Sequence, residues 1–141
     1  ATAKFNAVKA AHKAVTSFVS SEVTKCGMGK RMDLKQDDGD ILDSSVTKTI
    51  CESPTQRAQS ATLVDLFVKH FEGEAWMNPM NQTDLQVYGS ANAPNTEEMG
   101  RIHVAGAGNT IIIQTLAIDP DVDDPLSPEA EVRLKNIVRV E

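Results

Sequence analysis

ATAKFNAVKAAHKAVTSFVSSEVTKCG, residues 1–27, is the stretch that decides the fold. Phe5, Val8, Ala11, Val15, Phe18, Val19 and Val23 recur at steps of three and four residues, while Lys4, Lys9, Lys13 and Ser20 fall off that stripe. The period is that of one face of an α-helix, so the sequence predicts an amphipathic helix over 1–25, roughly 36 Å long. Cys26-Gly27-Met28-Gly29 ends it, with Gly27 placed to take a left-handed conformation. So long a helix is more than a small domain needs for its own core, and it reads as a spine.

The strands come at the other end of the chain. Leu85–Tyr88 is a short strand candidate, and Gly89–Gly100 reads as a loop. In Arg101–Ala105, Ile102 and Val104 face one way and Arg101 and His103 the other. Gly106-Ala107-Gly108-Asn109 is a hairpin turn. Thr110–Leu116 holds Ile111-Ile112-Ile113, as a strand buried on both faces in the middle of a sheet would. Ile118–Ala130 is a long acidic loop with three prolines. Val132, Leu134, Asn136, Val138 and Val140 then alternate with Arg133, Lys135 and Arg139 in a half-buried final strand.

Between spine and strands lies a connecting region. Residues 30–50 are polar and acidic and read as a loop, with a short turn or strand at Ser45–Ile50. Ser53-Pro54, with Gln56 three residues after Ser53, opens a second helix as N-cap, first-turn proline and capping-box partner. Ala61, Val64, Phe67, Val68 and Phe71 supply its apolar face, widened by Leu63 and Leu66, and Gly73 closes it. The expected fold is α+β in one domain over 1–141. A spine helix at 1–25 packs on a roughly four-stranded antiparallel sheet at 85–141, and a helix-containing connecting region spans 26–84. The spine packing uses Phe5, Val8, Val15, Phe18 and Val19 against Ile102, Val104, Ile111, Ile113, Val138 and Val140.

Charge is unevenly placed. Net charge is −6, which argues against a nucleic-acid partner. Residues 1–31 carry six bases (Lys4, Lys9, Lys13, Lys25, Lys30, Arg31) against Glu22, a net +5, and the remainder carries eight bases and nineteen acids, a net −11. A basic helix on an acidic body can pair with copies of itself, or be a helix with a solvated lysine face. Cys26 and Cys51 suit one disulfide in an exported protein, closing a loop worth roughly 3 kcal/mol; two buried free thiols are the other reading. No apolar run approaches the roughly 18 residues that cross a bilayer.

Chemistry is sparse. His12, His70 and His103 lack metal-ligand spacing to one another or to cysteine. No nucleophile elbow, phosphate loop or HExxH run is present, and Gly106-Ala107-Gly108 lies between strands with no helix after it. The expectation is a protein without catalytic activity. Two acidic clusters occur, one at Asp37, Asp38, Asp40 and Asp43, the other at Asp119, Asp121, Asp123 and Asp124. Neither matches the EF-hand loop, whose final Glu is missing; the second is the candidate for calcium, against the plainer reading of a solvated acidic loop. Asn81-Gln82-Thr83 is a formal N-glycosylation sequon.

The helix Ala1–Lys25, the stop at Gly27, the turn Trp76-Met77-Asn78-Pro79 and the hairpin Arg101–Leu116 together resemble the head of a type IV pilin. The resemblance covers almost the whole chain in its order of elements. It implies a long helix whose second half packs on an antiparallel sheet of about four strands. It also implies a preceding apolar half that anchors the subunit in the membrane and later forms the filament core. The family's Phe-Thr-Leu-Ile-Glu start is absent, and Ala1-Thr2-Ala3 is what truncation inside the helix would leave. Many pilins join cysteines near the C-terminus, whereas Cys26 and Cys51 would staple the loop after the helix. The implied function is a structural subunit of an extracellular, cell-surface filament. Its partners would be copies of itself and the pilus assembly machinery, and it would meet the membrane only through the segment before Ala1. Two alternatives stand beside it. One is a type II secretion pseudopilin with calcium at Asp119, Asp121, Asp123 and Asp124; the other is a secreted or periplasmic ligand-binding module.

Overall fold

A computed structural model describes residues 2–140, so Ala1, the first residue of the expected spine, lies outside the described residues. The chain is α+β, with three helices, a two-stranded sheet and a four-stranded sheet among those residues. Helix α1 runs Thr2–Gly27 and buries Val8, His12, Val15, Val19, Glu22, Val23 and Cys26, the predicted stripe with two polar residues added to it. Phe5, Ala11 and Phe18 are half-buried beside them. The helix stops later than expected. Gly27 is still helical, and Gly29 takes the left-handed conformation at φ +77°. Lys30 N–H donates to Lys25 C=O at 3.0 Å and Gly29 N–H to Cys26 C=O at 2.9 Å, which satisfies the last free carbonyls in a Schellman arrangement.

The connecting region holds two helices where one was expected. Ser44–Glu52 is helix α2, not a turn or strand. Asp43 caps it by accepting Ser45 N–H at 3.0 Å, and Thr47 and Cys51, one turn apart, are buried beneath it. Tertiary anchors override a local sequence rich in β-branched residues: Thr47 Oγ1 donates to Met32 C=O at 3.0 Å, and Cys51 is bonded to Cys26. Helix α3 runs Ser60–Glu74 and so begins well after Ser53. Ser53 Oγ does accept Gln56 N–H, at 3.3 Å, but the contact closes only a turn. At its far end Ala75, at φ +57°, makes the stop, and Gly73 lies inside the helix. Glycine is needed there because a Cβ would collide with the carbonyl of Gln36 in the preceding loop. Leu63, Val64, Phe67 and Phe71 form the buried face; Ala61 is exposed.

Strands β1 (Met77–Asn78) and β2 (Asn81–Leu85) form a small antiparallel hairpin around the expected Asn-Pro turn. Strands β3 (Val87–Gly89), β4 (Ile102–Ala107), β5 (Thr110–Ile118) and β6 (Glu131–Arg139) form the main sheet in the order β3-β4-β5-β6. The single strand expected at Leu85–Tyr88 is therefore split. Buried Gln86 separates two strands, its N–H bonded to Trp76 C=O and its Nε2 to Gly100 C=O. The sheet is mixed, not antiparallel, because β3 pairs parallel with β4. Parallel pairing follows from the 90–101 connection, which returns the chain to the end of the sheet where β3 began. The β4–β5 hairpin forms as expected, tightened to a turn at Gly108-Asn109 with Gly108 at φ +59°.

Both long helices cover one face of the sheet. Helix α1 lies over β5 and β6, and α3 lies over β3 and β4. Ile111 and Ile113 of central β5 are fully buried on that face, while Ile112 is half-buried on the other. Val15 and Val19 join the core cluster with Ile102, Val104, Ile111 and Ile113, and half-buried Phe18 packs against that cluster while meeting Phe67, His70 and Phe71 of α3. On the opposite face the loop 90–100 covers one end, held by Arg133 Nη1 to Pro94 C=O at 2.9 Å and His103 to Asn92 C=O at 2.8 Å. The rest of that face is open.

Candidate functional site

The three histidines, which lack metal-ligand spacing in sequence, are each built into a hydrogen-bonded structural junction. His12 joins α1 to the sheet. Its Nδ1 lies 2.7 Å from Thr115 Oγ1 and its Nε2 2.7 Å from Asn136 Oδ1. Asn136 Oδ1 can only accept, so Nε2 carries the hydrogen and Nδ1 accepts from the threonine hydroxyl. Burial lowers the His12 pKa and so favours this neutral form, against the opposing pull of the Asn136 hydrogen bond. Hydroxyl, imidazole and amide are in the order of a nucleophile, a base and an orienting group. Thr115, however, is 1% exposed beneath α1, so no substrate carbonyl reaches its oxygen. The trio fastens a helix to a sheet.

His70 fastens a loop. Its Nδ1 accepts Lys35 N–H at 2.9 Å, and its ring lies against Phe18. Nε2 faces Glu74 at 3.6 Å, and Lys35 Nζ reaches the same carboxylate at 3.3 Å. Burial lowers the His70 pKa; the Glu74 charge opposes that shift and the Lys35 charge adds to it. These groups line a cleft of about 620 Å³ with Met32, Leu34 and Leu42.

His103, on the other face of the sheet, donates from Nδ1 to Asn92 C=O. Among the described residues its buried Nε2 has no hydrogen-bond partner, and it lies 3.7 Å from Glu98. Arg101 beside it bridges Asp84 at 3.0 Å and Glu98 at 3.1 Å and stacks over Tyr88 at 4.4 Å.

The structure does not gather Asp119, Asp121, Asp123 and Asp124 into a calcium site. Asp119 accepts Asp121 N–H at 2.9 Å and Asp124 accepts Leu126 N–H at 3.0 Å, so both close local turns. Among the described residues no three His, Cys, Asp or Glu side chains are grouped to hold a metal. Thr83 Oγ1 donates to Asn81 Oδ1 at 2.7 Å within the exposed sequon. Cys26 and Cys51 are joined by a disulfide, and both are buried.

What remains is surface charge. Lys4, Lys9 and Lys13 are exposed along α1 and make no ion pair among the described residues; Lys9 sits over the Phe5 ring at 4.8 Å. The other end of the helix is neutralised. Buried Glu22 binds Lys25 at 2.7 Å and accepts Asp33 N–H at 2.8 Å, and the Glu22 partnership raises the Lys25 pKa. Asp37, Asp38, Asp40 and Asp43 are exposed without an ion pair among the described residues, as are Lys135 and Arg139 on the open sheet face. Sequence reading found the charges and missed the histidine partners. Thr115 and Asn136 lie 103 and 124 residues from His12, a separation that local pattern cannot bridge.

The chain matches no protein-family model, no curated protein and no solved structure.

Proposed function

We propose that this chain is a structural subunit of a type IV pilus-like extracellular filament and acts by assembling with copies of itself, without catalytic activity. The observation that carries this reading is exposed charge of both signs left without ion pairs among the described residues. Lys4, Lys9 and Lys13 line α1, and the acidic loops lie on the body, with no ion pair among the described residues to consume either. Opposite charges left unpaired within one copy are available to the next, where they set register and orientation. A spine helix laid along a sheet fits the same reading, as does a buried disulfide suited to an oxidising compartment. The mixed sheet is a departure from the antiparallel sheet that the resemblance implies. The secretion-pseudopilin alternative drew on calcium at Asp119–Asp124, whose carboxylates stand apart, and it is not carried further.

The test is location and form. Gold-labelled antibody against the chain should decorate filaments on the surface of the cells that make it. Label confined to the periplasm or cytoplasm, with no filament marked, would overturn the reading.

A further inference from the structure

The assembly reading leaves the contact between copies unnamed, and two exposed isoleucines identify one. We propose that the acidic hairpin carrying Ile41 of one copy seats on the basic sheet face around Ile137 of the next. The proposal rests on the assembly reading and adds the surface it uses.

Ile41 is 83% exposed, unusual for a large apolar side chain in a loop that is itself firmly held. The hairpin has its own ladder: Gln36 N–H donates to Asp40 C=O at 2.7 Å and Leu42 N–H to Leu34 C=O at 3.0 Å. Lys35 N–H is anchored on His70, and the turn at Gly39 rests against the carbonyl of Gly73. The knob is therefore pre-organised, and little ordering entropy opposes its docking. Four exposed carboxylates flank Ile41 in sequence, Asp37, Asp38, Asp40 and Asp43; Lys35, across the ladder from it, is paired with Glu74, and Val46 is 41% exposed.

The receiving face has the opposite sign. Ile137 is 60% exposed and pairs across the strands with Ile112. Lys135 and Arg139 lie two residues to either side of it, so all three project from one face of β6. Neither base makes an ion pair among the described residues. An apolar centre with a basic rim thus meets an apolar tip with an acidic rim, which is the layout of a specific interface.

The two surfaces lie on opposite sides of the molecule. The hairpin is bonded to α1 and α3, through Asp33 on Glu22 and Lys35 on His70, and those helices cover the inner sheet face. Asn136 faces α1 through His12, so its neighbour Ile137 must face away. A contact between two different patches on opposite sides is heterologous, and it repeats without closing on itself as a dimer would.

The experiment uses the full chain with its native disulfide intact. Cys26 and Cys51 are paired and buried, so a new cysteine supplies the one free thiol. Ile41→Cys and Ile137→Cys variants, mixed under mild oxidation at low salt, should give covalent dimers. The double variant should give a ladder that fades as salt rises. Sedimentation of Ile137→Asp should show at least a tenfold loss of self-association with the melting temperature unchanged. The contact is overturned if Ile137→Cys cross-links to itself as readily as to Ile41→Cys. It is also overturned if Leu126→Cys, at the exposed tip of the other acidic loop, replaces Ile41→Cys as partner, or if no cross-link forms. Labelled filaments without a ladder would remove this contact and keep the assembly reading. A ladder without labelled filaments would do the reverse.

Discussion

Phe18 of α1 lies flat on His70 of α3, with ring centroids 4.4 Å apart and planes 12° from parallel. The same ring meets Phe71 edge-on at 5.4 Å and Phe67 at 6.2 Å. Phe18 is thus the point at which the spine grips its neighbouring helix, while Val15 and Val19 join the core that extends to the sheet. Replacing Phe18 with alanine should cost about 3 kcal/mol, the low end for a large aromatic because the ring is half-buried. Urea melts give the value. The mutation should couple to Phe71→Leu by roughly 0.5 kcal/mol or more, as side chains in direct contact do. It should not couple to Val138→Ala on the sheet. Additivity with Phe71→Leu would refute the grip.

That ring also marks how far the sequence was legible. The stripe in α1, the apolar face of α3, the β4–β5 hairpin and the final strand all follow from local period, because one side of each element must be dry. Three features did not follow. Helix α2 is fixed by Thr47 on Met32 and by the disulfide, contacts that no window of α2 contains. The parallel pairing of β3 is set by where the 90–101 connection returns, which composition does not encode. The histidine junctions depend on Thr115, Asn136, Lys35 and Asn92, which lie 11 to 124 residues from their histidines and are ordinary in type. The acidic clusters were legible as charge, yet their geometry was not: turns at Asp119 and Asp124 spread the carboxylates instead of converging them.

Acidification should weaken the fold through the two buried imidazoles. His12 and His70 both have pKa values below the ordinary 6.5, chiefly because burial disfavours the charged ring. A base whose pKa is depressed on folding binds protons more readily when unfolded. Its neutral form is compatible with full stability above about 6.5, and stability is lost as pH falls from there towards the folded value, below which the loss levels off. Protonated Nδ1 can no longer accept from Thr115 or from Lys35 N–H. Unfolding free energy should therefore fall between pH 7 and pH 5, roughly the range in which histidines titrate. A His70→Gln variant should show a shallower fall, and an unchanged slope in that variant would exclude His70 as a contributor.

Reduction of Cys26–Cys51 should destabilise the chain by about 3 kcal/mol, the loop-closure value for the 25-residue separation. The loss should be local before it is global. Helix α2 is tied to the rest through Cys51, Thr47 on Met32, and Arg57 Nη1 on Cys51 C=O at 3.1 Å. Amide exchange in residues 44–52 should accelerate on reduction, while β5, buried in the middle of the sheet, keeps its protection. Both sulfurs are buried, so the bond should resist mild reductant until the protein opens. Rapid reduction of the native state with no change in α2 exchange would show that the bond does not hold this helix.

Gly73→Ala tests whether the hairpin around Ile41 is seated or merely adjacent. A Cβ at residue 73 points into the carbonyl of Gln36, and the backbone N–H of Gly39 is 3.2 Å from the same position. Backbone cannot swing aside as a flexible side chain can, so the hairpin must lift off α3. Lifting it stretches Lys35 N–H from His70 and opens the ladder between Gln36 and Asp40. The cost should be about 2 kcal/mol, in the range of overpacked sites. The helix itself should not suffer, since alanine is the better helix former at an interior position. Circular dichroism should thus show α3 intact while exchange rises at residues 35–42 and the Ile41→Cys cross-link to Ile137→Cys weakens. Full stability in Gly73→Ala, with exchange at 35–42 unchanged, would mean that the loop does not rest on α3.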